Sequence, residues 1–453
     1  MTSDGRAYVW MFPQGSAEPV VAGVVFPSTT TKGMSFQYAR SYVERGGVDL
    51  GPDLPVERGV AYPPVPILDM PFTIRDAMPD NWGRQVINRQ LGVDLEHVLP
   101  DLRYMLESGS DRVGALDFQA SATDYVPRLG GGRLKTVAET AVAIDDDAPA
   151  GPDLDAAVRN TLTAAGGSQP KAFVRLDGRS WLAKFTTNYD RVSPLIKAER
   201  AAIYIADKAG LDVPDARLVD IGGRGLTLLI ERFDRVGDER RMVLSGNTVT
   251  EYASPDGASY PHLVERLSRL SARPAEVGPE LFRRLAFRMA MRIDDDHLRN
   301  VAVFWDGTNA EFTPAFDLSP DLNATPGGLT DIGGGSREFS LEALVRRHSF
   351  YRVSHADALS TARHMIDAVR EHREDAAEVA QMTASETQLL VQRTATPEII
   401  GAVESTHIAT PGRPSAGQRR RGDLQQGTTP AGGNRGSFAS SEHSPPEVGL
   451  YGE

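Results

Sequence analysis

Two acidic residues and one asparagine follow one another in the order that phosphoryl transfer from a nucleotide requires. Asp295 lies five positions before Asn300, and Asp317 follows after a short apolar stretch. In this chemistry one carboxylate orients the attacking hydroxyl, while an amide oxygen and a second carboxylate hold the Mg²⁺ that bridges the phosphates. We therefore predict that Asp295 is the acid–base group and that Asn300 and Asp317 bind the metal.

The surroundings of Asp295 leave alternatives open. Asp294 and Asp296 flank it, and spacing alone selects the middle acid. A lone Asp-x₄-Asn is common, so three acids after a helix also fit a solvated loop, and Asp317 before Leu-Ser-Pro also fits a turn. His297 belongs to the predicted catalytic loop, and we expect it to brace the loop rather than to transfer protons.

A lysine in the middle of an apolar strand is a candidate phosphate ligand. Only six of the 49 basic residues are lysines, and a compact ammonium can do work against phosphate that arginine cannot do. Lys184 would be costly to bury unless it is paired. Phosphate is one natural partner, and Glu199 on the following predicted helix is another.

A glycine-rich segment precedes the first strand of the same region. It contains Gly166, Gly167, Ser168, Gln169 and Lys171, and its backbone N–H groups could cradle phosphates. No Gly-x₄-Gly-Lys-Ser/Thr motif occurs in the chain, so it is not a Walker A loop.

The segment after the last strand of this region has two interpretations. Glu231, Arg232 and Phe233 occupy the place where a hinge would hold adenine through backbone hydrogen bonds. The alternative is a structural Arg–Asp pair at a strand end.

The elements around these residues have the order strand, strand, helix, strand, strand, which is the order of a kinase small lobe. The two strands at 171–176 and 181–186 are joined by Asp-Gly, a strong hairpin signal. A helix runs from Pro194 to Gly210, and a second hairpin covers 217–221 and 226–230.

Composition supports an ordinary multidomain chain. The chain has 453 residues, a formal net charge of -12 and no cysteine. Disulfides and thiolate sites are therefore excluded, direct wrapping of nucleic acid is disfavoured, and we expect a cytoplasmic protein with no membrane contact. The predicted domains are an N-terminal subdomain at 1–125, a linker at 126–160, a small lobe at 161–250, a helical lobe at 251–395 and a disordered tail at 396–453. We expect one short helix near 154–162, at the end of the linker.

These motifs together resemble the HipA family of toxin kinases, and the resemblance covers roughly residues 7–390. The matching stretches are the Gly-Gly-Ser-Gln-Pro-Lys segment at 166–171 and the residues at 181–185, 210–214, 231–235, 294–300 and 315–320. It implies an α+β, protein-kinase-related fold with an N-terminal mixed α/β subdomain, a small β-rich lobe and a helical C-terminal lobe.

The resemblance also implies an activity and partners. These are ATP–Mg²⁺ binding, phosphorylation of Ser or Thr in a protein such as an aminoacyl-tRNA synthetase, and restraint by a helix-turn-helix antitoxin of the HipB type, with DNA reached only through it. Two other functions stay open, a catalytically weak nucleotide-binding corepressor and a small-molecule kinase.

One position departs from the family. The serine that family members often autophosphorylate corresponds to Ala164 here, with Thr163 and Ser168 as nearby hydroxyls. The resemblance therefore leaves control by autophosphorylation open and places more weight on the partner.

Overall fold

An antiparallel sheet forms the N-terminal part of the chain in a computed structural model, which describes residues 5–94, 98–145, 161–163, 169–187, 190, 194–222, 225–253, 257–323 and 327–403. Its described strands have the order β4-β3-β2-β1-β5. The strands are β1 Ala7–Met11, β2 Val20–Pro27, β3 Met34–Tyr38, β4 Ala61–Tyr62 and β5 Leu116–Gln119.

Short helices cover one face of this sheet. They are α1 Arg40–Glu44, α2 Phe72–Asp76, α3 Asn81–Gln90 and α4 Asp101–Glu107. Helices α2 and α3 are separated by a break that contains Pro79, because a proline cannot continue the hydrogen-bond ladder of a helix. Buried aromatic side chains such as Phe36 and Phe118 fill the space between sheet and helices.

The region expected to be a linker contains a helix that sequence analysis did not find. Helix α5 spans Leu134–Asp145 and buries an apolar face that includes Val137 and Ala141. The expectation of a linker is therefore wrong for these residues, because this face packs on the small lobe together with Trp82 of α3. Most of the helix predicted near 154–162 lies outside the described residues. Residues 161–163 are described, and they are helical.

The predicted hairpins of the small lobe are present. The strands β6 Lys171–Leu176, β7 Arg179–Phe185, β8 Ala216–Asp220 and β9 Leu226–Glu231 pair in the order β6-β7-β9-β8, with helix α6 at Leu195–Lys208. The turn between β6 and β7 holds Asp177 at φ 54° and Gly178 at φ 73°. Positive φ at both positions matches the right-handed twist of a hairpin, which explains the Asp-Gly signal.

The C-terminal part is mainly helical and carries small sheets at the junction. Its strands are β10 Arg235–Val236, β11 Glu239–Arg240, β12 Val243–Ser245, β13 Ala302–Trp305 and β14 Ala310–Phe312. Its helices are α7 Gly246–Thr250, α8 Tyr260–Leu270, α9 Pro274–Ala290, α10 Leu341–Arg346, α11 His355–Val379, α12 Ala384–Arg393 and α13 Pro397–Ile400. Their apolar faces share a core with α6.

No described helix combines the length and the apolar character that crossing a bilayer requires. The prediction of a disordered tail at 396–453 is wrong for its first residues, because α13 packs Ile399 and Ile400 into the core of the helical part. The rest of the predicted tail, beyond 403, lies outside the described residues.

Candidate active site

A buried ion-pair cluster joins the small lobe to the helical part. Lys184 on β7 places its ammonium 2.7 and 2.8 Å from the two carboxylate oxygens of Glu199 on α6, and 2.7 Å from Oδ1 of Asp317. The Lys184 side chain is 4% exposed and that of Glu199 is 1% exposed. The strand thus carries the lysine into the interior, where the two acids compensate its charge.

The charges in this cluster stabilise one another. Burial alone would lower the pKa of Lys184, but Asp317 and Glu199 outweigh burial and raise this pKa above its ordinary value. Burial would likewise raise the pKa of Asp317, but the ammonium groups of Lys184 and Lys171 outweigh it and hold this pKa well below its usual range. Lys184 and Asp317 are therefore both charged at neutral pH.

A second lysine lies beside the first. Lys171 on β6 is the cross-strand partner of Lys184 and is also buried. Burial lowers the pKa of Lys171, and the charge of Lys184 lowers it further. Asp317 and Glu199 already reduce the repulsion between the two lysines, and an anion such as a phosphate group would reduce it further.

Helix α9 ends in a turn that delivers the three consecutive acids. The N–H groups of Arg292 and Ile293 return to the carbonyl oxygens of Met289 and Arg288, at 3.0 and 2.8 Å, in the pattern of a Schellman motif. Arg292 occupies the left-handed position with φ 63°, where glycine is usual. The chain therefore reverses sharply just before the acids.

The outer two acids are bound to a neighbouring loop. Asp294 accepts a hydrogen bond of 3.2 Å from the N–H of Gly327. Asp296 is buried and accepts 2.7 and 3.3 Å hydrogen bonds from the N–H groups of Leu329 and Thr330. These bonds hold the loop in place and assign structural tasks to both carboxylates.

Asp295, between them, faces outward. Its side chain is 57% exposed, and Oδ1 lies 3.2 Å from Nε2 of His297, which fits the expected bracing by this histidine. The backbone carbonyl of Asp295 accepts a 2.9 Å hydrogen bond from the amide nitrogen of Asn300, which leaves the amide oxygen of Asn300 for another partner. The loop thus exposes the carboxylate of Asp295 and ties the side chain of Asn300 to the backbone of Asp295. The acid–base and metal-binding tasks of these residues stay predictions.

The donor set around Asn300 and Asp317 fits Mg²⁺ better than a transition metal. Within the described parts of the chain, no group of three or more His, Cys, Asp or Glu side chains could hold a metal ion. Mg²⁺ needs no such group, because one or two protein oxygens and the phosphates of a nucleotide complete its shell. Asp317 sits at φ 52°, a backbone conformation that is uncommon outside glycine.

The pKa of Asp296 provides a test of the loop. Burial raises this pKa to about 6, against the hydrogen bonds from the loop and the charge of Arg288. The pKa of Asp296 in the folded state exceeds its unfolded value of about 3.9. The protonated carboxyl group therefore makes its full contribution to the free energy of unfolding below pH ~4, and this contribution is lost as the pH rises through ~6. We expect Asp296→Asn to be more stable than the wild type by about 2 kcal/mol at pH 7.5.

Urea unfolding of both proteins between pH 4 and 8 measures this difference. It should shrink toward pH 4, where Asp296 is neutral in both states. A difference that stays constant across this range would contradict the raised pKa.

The predicted hinge residues have side chains that are engaged elsewhere. Glu231 pairs with the exposed Arg179. Arg232 is buried and pairs with Asp234 at 2.8 Å and Asp111 at 2.7 Å. The alternative interpretation, a structural Arg–Asp pair, therefore holds for the Arg232 side chain.

At the predicted hinge, one backbone N–H group is already used within the sheet and so does not remain for a nucleotide. The N–H of Arg232 donates to the carbonyl of Ser180 at 2.9 Å and so belongs to the sheet. The ring of Phe233 contacts Phe304 and Phe316, with centroids 5.9 and 5.7 Å apart. Phe233 thus connects the hinge to the stretch that leads into Asp317.

A buried charge network around this pair escaped sequence analysis. Asp234 also accepts hydrogen bonds of 2.8 Å from Arg235 and from the N–H of Gly114, while Asp111 bridges both arginines. Burial would raise the pKa of Asp111, but Arg232 and Arg235 hold it well below its usual range. The Arg-Phe-Asp-Arg motif was visible, but its partners more than 100 positions away were not.

The glycine-rich loop is described only in part. Gly166, Gly167 and Ser168 lie outside the described residues, as does Ala164, whereas Gln169 is described and lies two residues before the start of β6. Thr163 is fully buried, and its hydroxyl accepts a 2.9 Å hydrogen bond from the N–H of Gly109. In this conformation Thr163 is no accessible acceptor for a phosphoryl group.

Comparison with known proteins finds a solved structure of similar fold. The structure of HipA from Shewanella oneidensis MR-1, solved with HipB and its operator DNA, superposes with a TM-score of 0.64 at 17% identity, covering 87% of this chain and 97% of that chain. At this identity the likeness shows the fold, which is the α+β fold of HipA.

Two family models define the membership. The model described as the HipA N-terminal domain matches residues 18–119, and the HipA-like C-terminal domain matches residues 163–384. The chain therefore belongs to the HipA family.

Two curated relatives match a smaller share of the chain. "Putative kinase Y4mE" of Sinorhizobium fredii is 27% identical over 275 residues, which are 54% of this chain and 64% of that protein. "Putative kinase Y4dM" of the same organism is 25% identical over 218 residues, or 43% and 51%. The chain thus spans between half and two thirds of the relatives that it matches.

Proposed function

We propose that this chain is an ATP- and Mg²⁺-dependent serine/threonine protein kinase. The observation that supports this most strongly is the Lys184 ammonium bonded to both Glu199 and Asp317, because kinases need this lysine–glutamate pair and this metal-binding acid in place together. The relatives named as kinases agree with it. When bound, ATP with Mg²⁺ supplies the transferable phosphoryl group and a cation that neutralises its charge.

In this proposal each residue has one task. The exposed carboxylate of Asp295 accepts the proton of the attacking hydroxyl, and His297 holds that carboxylate at 3.2 Å. The amide oxygen of Asn300 and the carboxylate of Asp317 hold the Mg²⁺. Lys184 places its charge against the phosphate oxygens.

The remaining predicted ligands surround the nucleotide. The backbone of Gly166, Gly167, Ser168 and Gln169 covers the phosphates, and Lys171 adds positive charge beside Lys184.

The base lies against the hinge. The backbone at 231–233 and the ring of Phe233 line the adenine, while the side chains of Glu231 and Arg232 keep their structural partners. In domain terms, 1–125 is the N-terminal subdomain, 126–160 a connection that includes α5, and 161–250 the small lobe. The helical lobe begins at 251 and extends past 395 to include α13 at Pro397–Ile400.

We further propose that the kinase is the toxin of a toxin–antitoxin pair. Its partner would be a helix-turn-helix antitoxin of the HipB type, as in the Shewanella complex of the same fold. The net charge of -12 supports contact with DNA only through that partner. Phosphorylation of a translation-related protein such as an aminoacyl-tRNA synthetase would arrest growth.

Transfer of labelled γ-phosphate from ATP–Mg²⁺ into a bacterial lysate tests the proposal. The wild type is expected to label a protein on Ser or Thr, and Asp295→Asn, which has nearly the same shape, should abolish the label. Thermal melts of both proteins check that the fold is retained.

The other outcomes separate the alternatives. Label that persists in Asp295→Asn would overturn the assignment of the acid. A labelled metabolite would indicate a small-molecule kinase. Stabilisation by ATP–Mg²⁺ without any transfer would favour the nucleotide-binding corepressor.

A further inference from the structure

A buried arginine on α9 contacts both loops of the candidate active site. Arg288 is 5% exposed. One terminal nitrogen of its guanidinium donates to the backbone carbonyl of Asp295 at 2.5 Å, and the other donates to the backbone carbonyl of Asp317 at 3.4 Å. The residues proposed as acid–base group and metal ligand are therefore joined through a single side chain.

The fold alone does not account for this arginine. Among the described residues, Arg288 forms no ion pair within 4 Å, its charge acts on Asp296 and Asp317 from farther away, and its Nε has no hydrogen-bond partner. A buried charge that lacks a directly bonded counter-ion is costly, so an ordinary apolar residue would serve the packing of α9 better. The planar fork of arginine offers something that no apolar residue does, namely donors at fixed spacing for two acceptors.

We infer that Arg288 is a positioning residue that sets the distance between the backbone of Asp295 and the backbone of Asp317. The inference deepens the proposed function and rests on it for the roles of the two aspartates. One loop precedes β13 and the other follows β14, so this antiparallel hairpin brings both loops to one end of the sheet. Arg288 then links the backbone of Asp295 directly to that of Asp317, and a rigid group of fixed geometry sets the remaining distance.

The same helix supplies a matched control. Arg284 lies one turn earlier on α9, is 8% exposed, and donates at 2.8 Å to the backbone carbonyl of Thr313. It differs in having Glu280 as an ion-pair partner at 2.8 Å, and it donates to the start of the stretch after β14 instead of to Asp295 or Asp317. Loss of packing should therefore be similar at the two positions, while loss of positioning should occur only at Arg288.

The experiment compares Arg288→Gln and Arg284→Gln with the wild type. Glutamine keeps an amide donor but cannot bridge two carbonyls, so we expect Arg288→Gln to lower kcat by ~100-fold, the scale of a small misplacement of reacting groups. The Mg²⁺ concentration for half-maximal stabilisation by ATP should rise about 10-fold, while binding of ATP without metal stays unchanged. Arg284→Gln should keep kcat and the Mg²⁺ requirement within about twofold of the wild type.

Two outcomes would overturn the inference. One is an Arg288→Gln protein with wild-type kcat and Mg²⁺ dependence, and the other is an equal change in both variants. Arg288→Lys, which can reach one carbonyl as a point charge, should be intermediate in kcat. If the wild type transfers no phosphate to any acceptor, the proposed function fails, but the Mg²⁺-dependent melting of the two variants still decides the role of Arg288.

Discussion

Replacing Lys184 with Met is expected to reduce phosphotransfer by ~10²–10³-fold and to destabilise the fold by about 3–5 kcal/mol. The loss of activity follows from removing the cation that faces the phosphates. The loss of stability follows because Glu199, which is 1% exposed, would remain buried without its partner. Urea unfolding and the labelling assay measure the two effects on the same preparation.

A second substitution separates these effects. In Lys184→Met with Glu199→Leu, both members of the buried pair are replaced by apolar residues, so most of the lost stability should return. Activity should not return, because neither new side chain carries charge. Recovery of phosphotransfer in the double variant would show that Lys184 acts only through the fold.

The buried network at the hinge predicts a comparably large effect on stability. Asp234→Asn should lower the free energy of unfolding by about 3–5 kcal/mol, because the buried Arg232 and Arg235 lose a shared counter-charge and meet an amide N–H₂ group. The midpoint of urea unfolding, with the slope checked for constancy, gives this number.

An exposed pair of the same length serves as the control. Asp238 lies 2.8 Å from Arg175, but their side chains are 70% and 59% exposed. Asp238→Asn should change the free energy of unfolding by less than about 1 kcal/mol. Similar losses at Asp234 and Asp238 would mean that the network contributes no more than a surface ion pair.

Local signals predicted much of the small lobe. The hairpin at Asp177 and Gly178 follows from turn chemistry, and the contact of Lys184 with Glu199 follows from the cost of burying a charge on an apolar strand. The α+β fold and the family are confirmed by the comparisons. The tasks assigned to Asp295, Asn300 and Asp317 stay predictions.

The structural features that sequence analysis missed depend on contacts that no local sequence pattern reveals. Helix α5 was taken for linker because glycines and prolines flank it, whereas its apolar face packs in one core with residues far away in the chain, among them Trp82 and Trp181. Arg232 was given to the nucleotide because its strongest partner besides Asp234 is Asp111, far away in the chain. Arg288 was overlooked because its acceptors are backbone carbonyls, which every residue has and no side-chain motif reveals.

Trp82 of α3 is fully buried within the core of the small lobe, and its indole N–H donates to the carbonyl of Lys171 at 3.2 Å. Just before the same helix, Asp80 pairs with Arg299, which lies in the loop that carries Asp295. Gene truncation between the two family domains would therefore not release an independent enzyme. It would expose an aromatic-lined surface on each fragment, so we expect the two parts to fold and unfold as one cooperative unit.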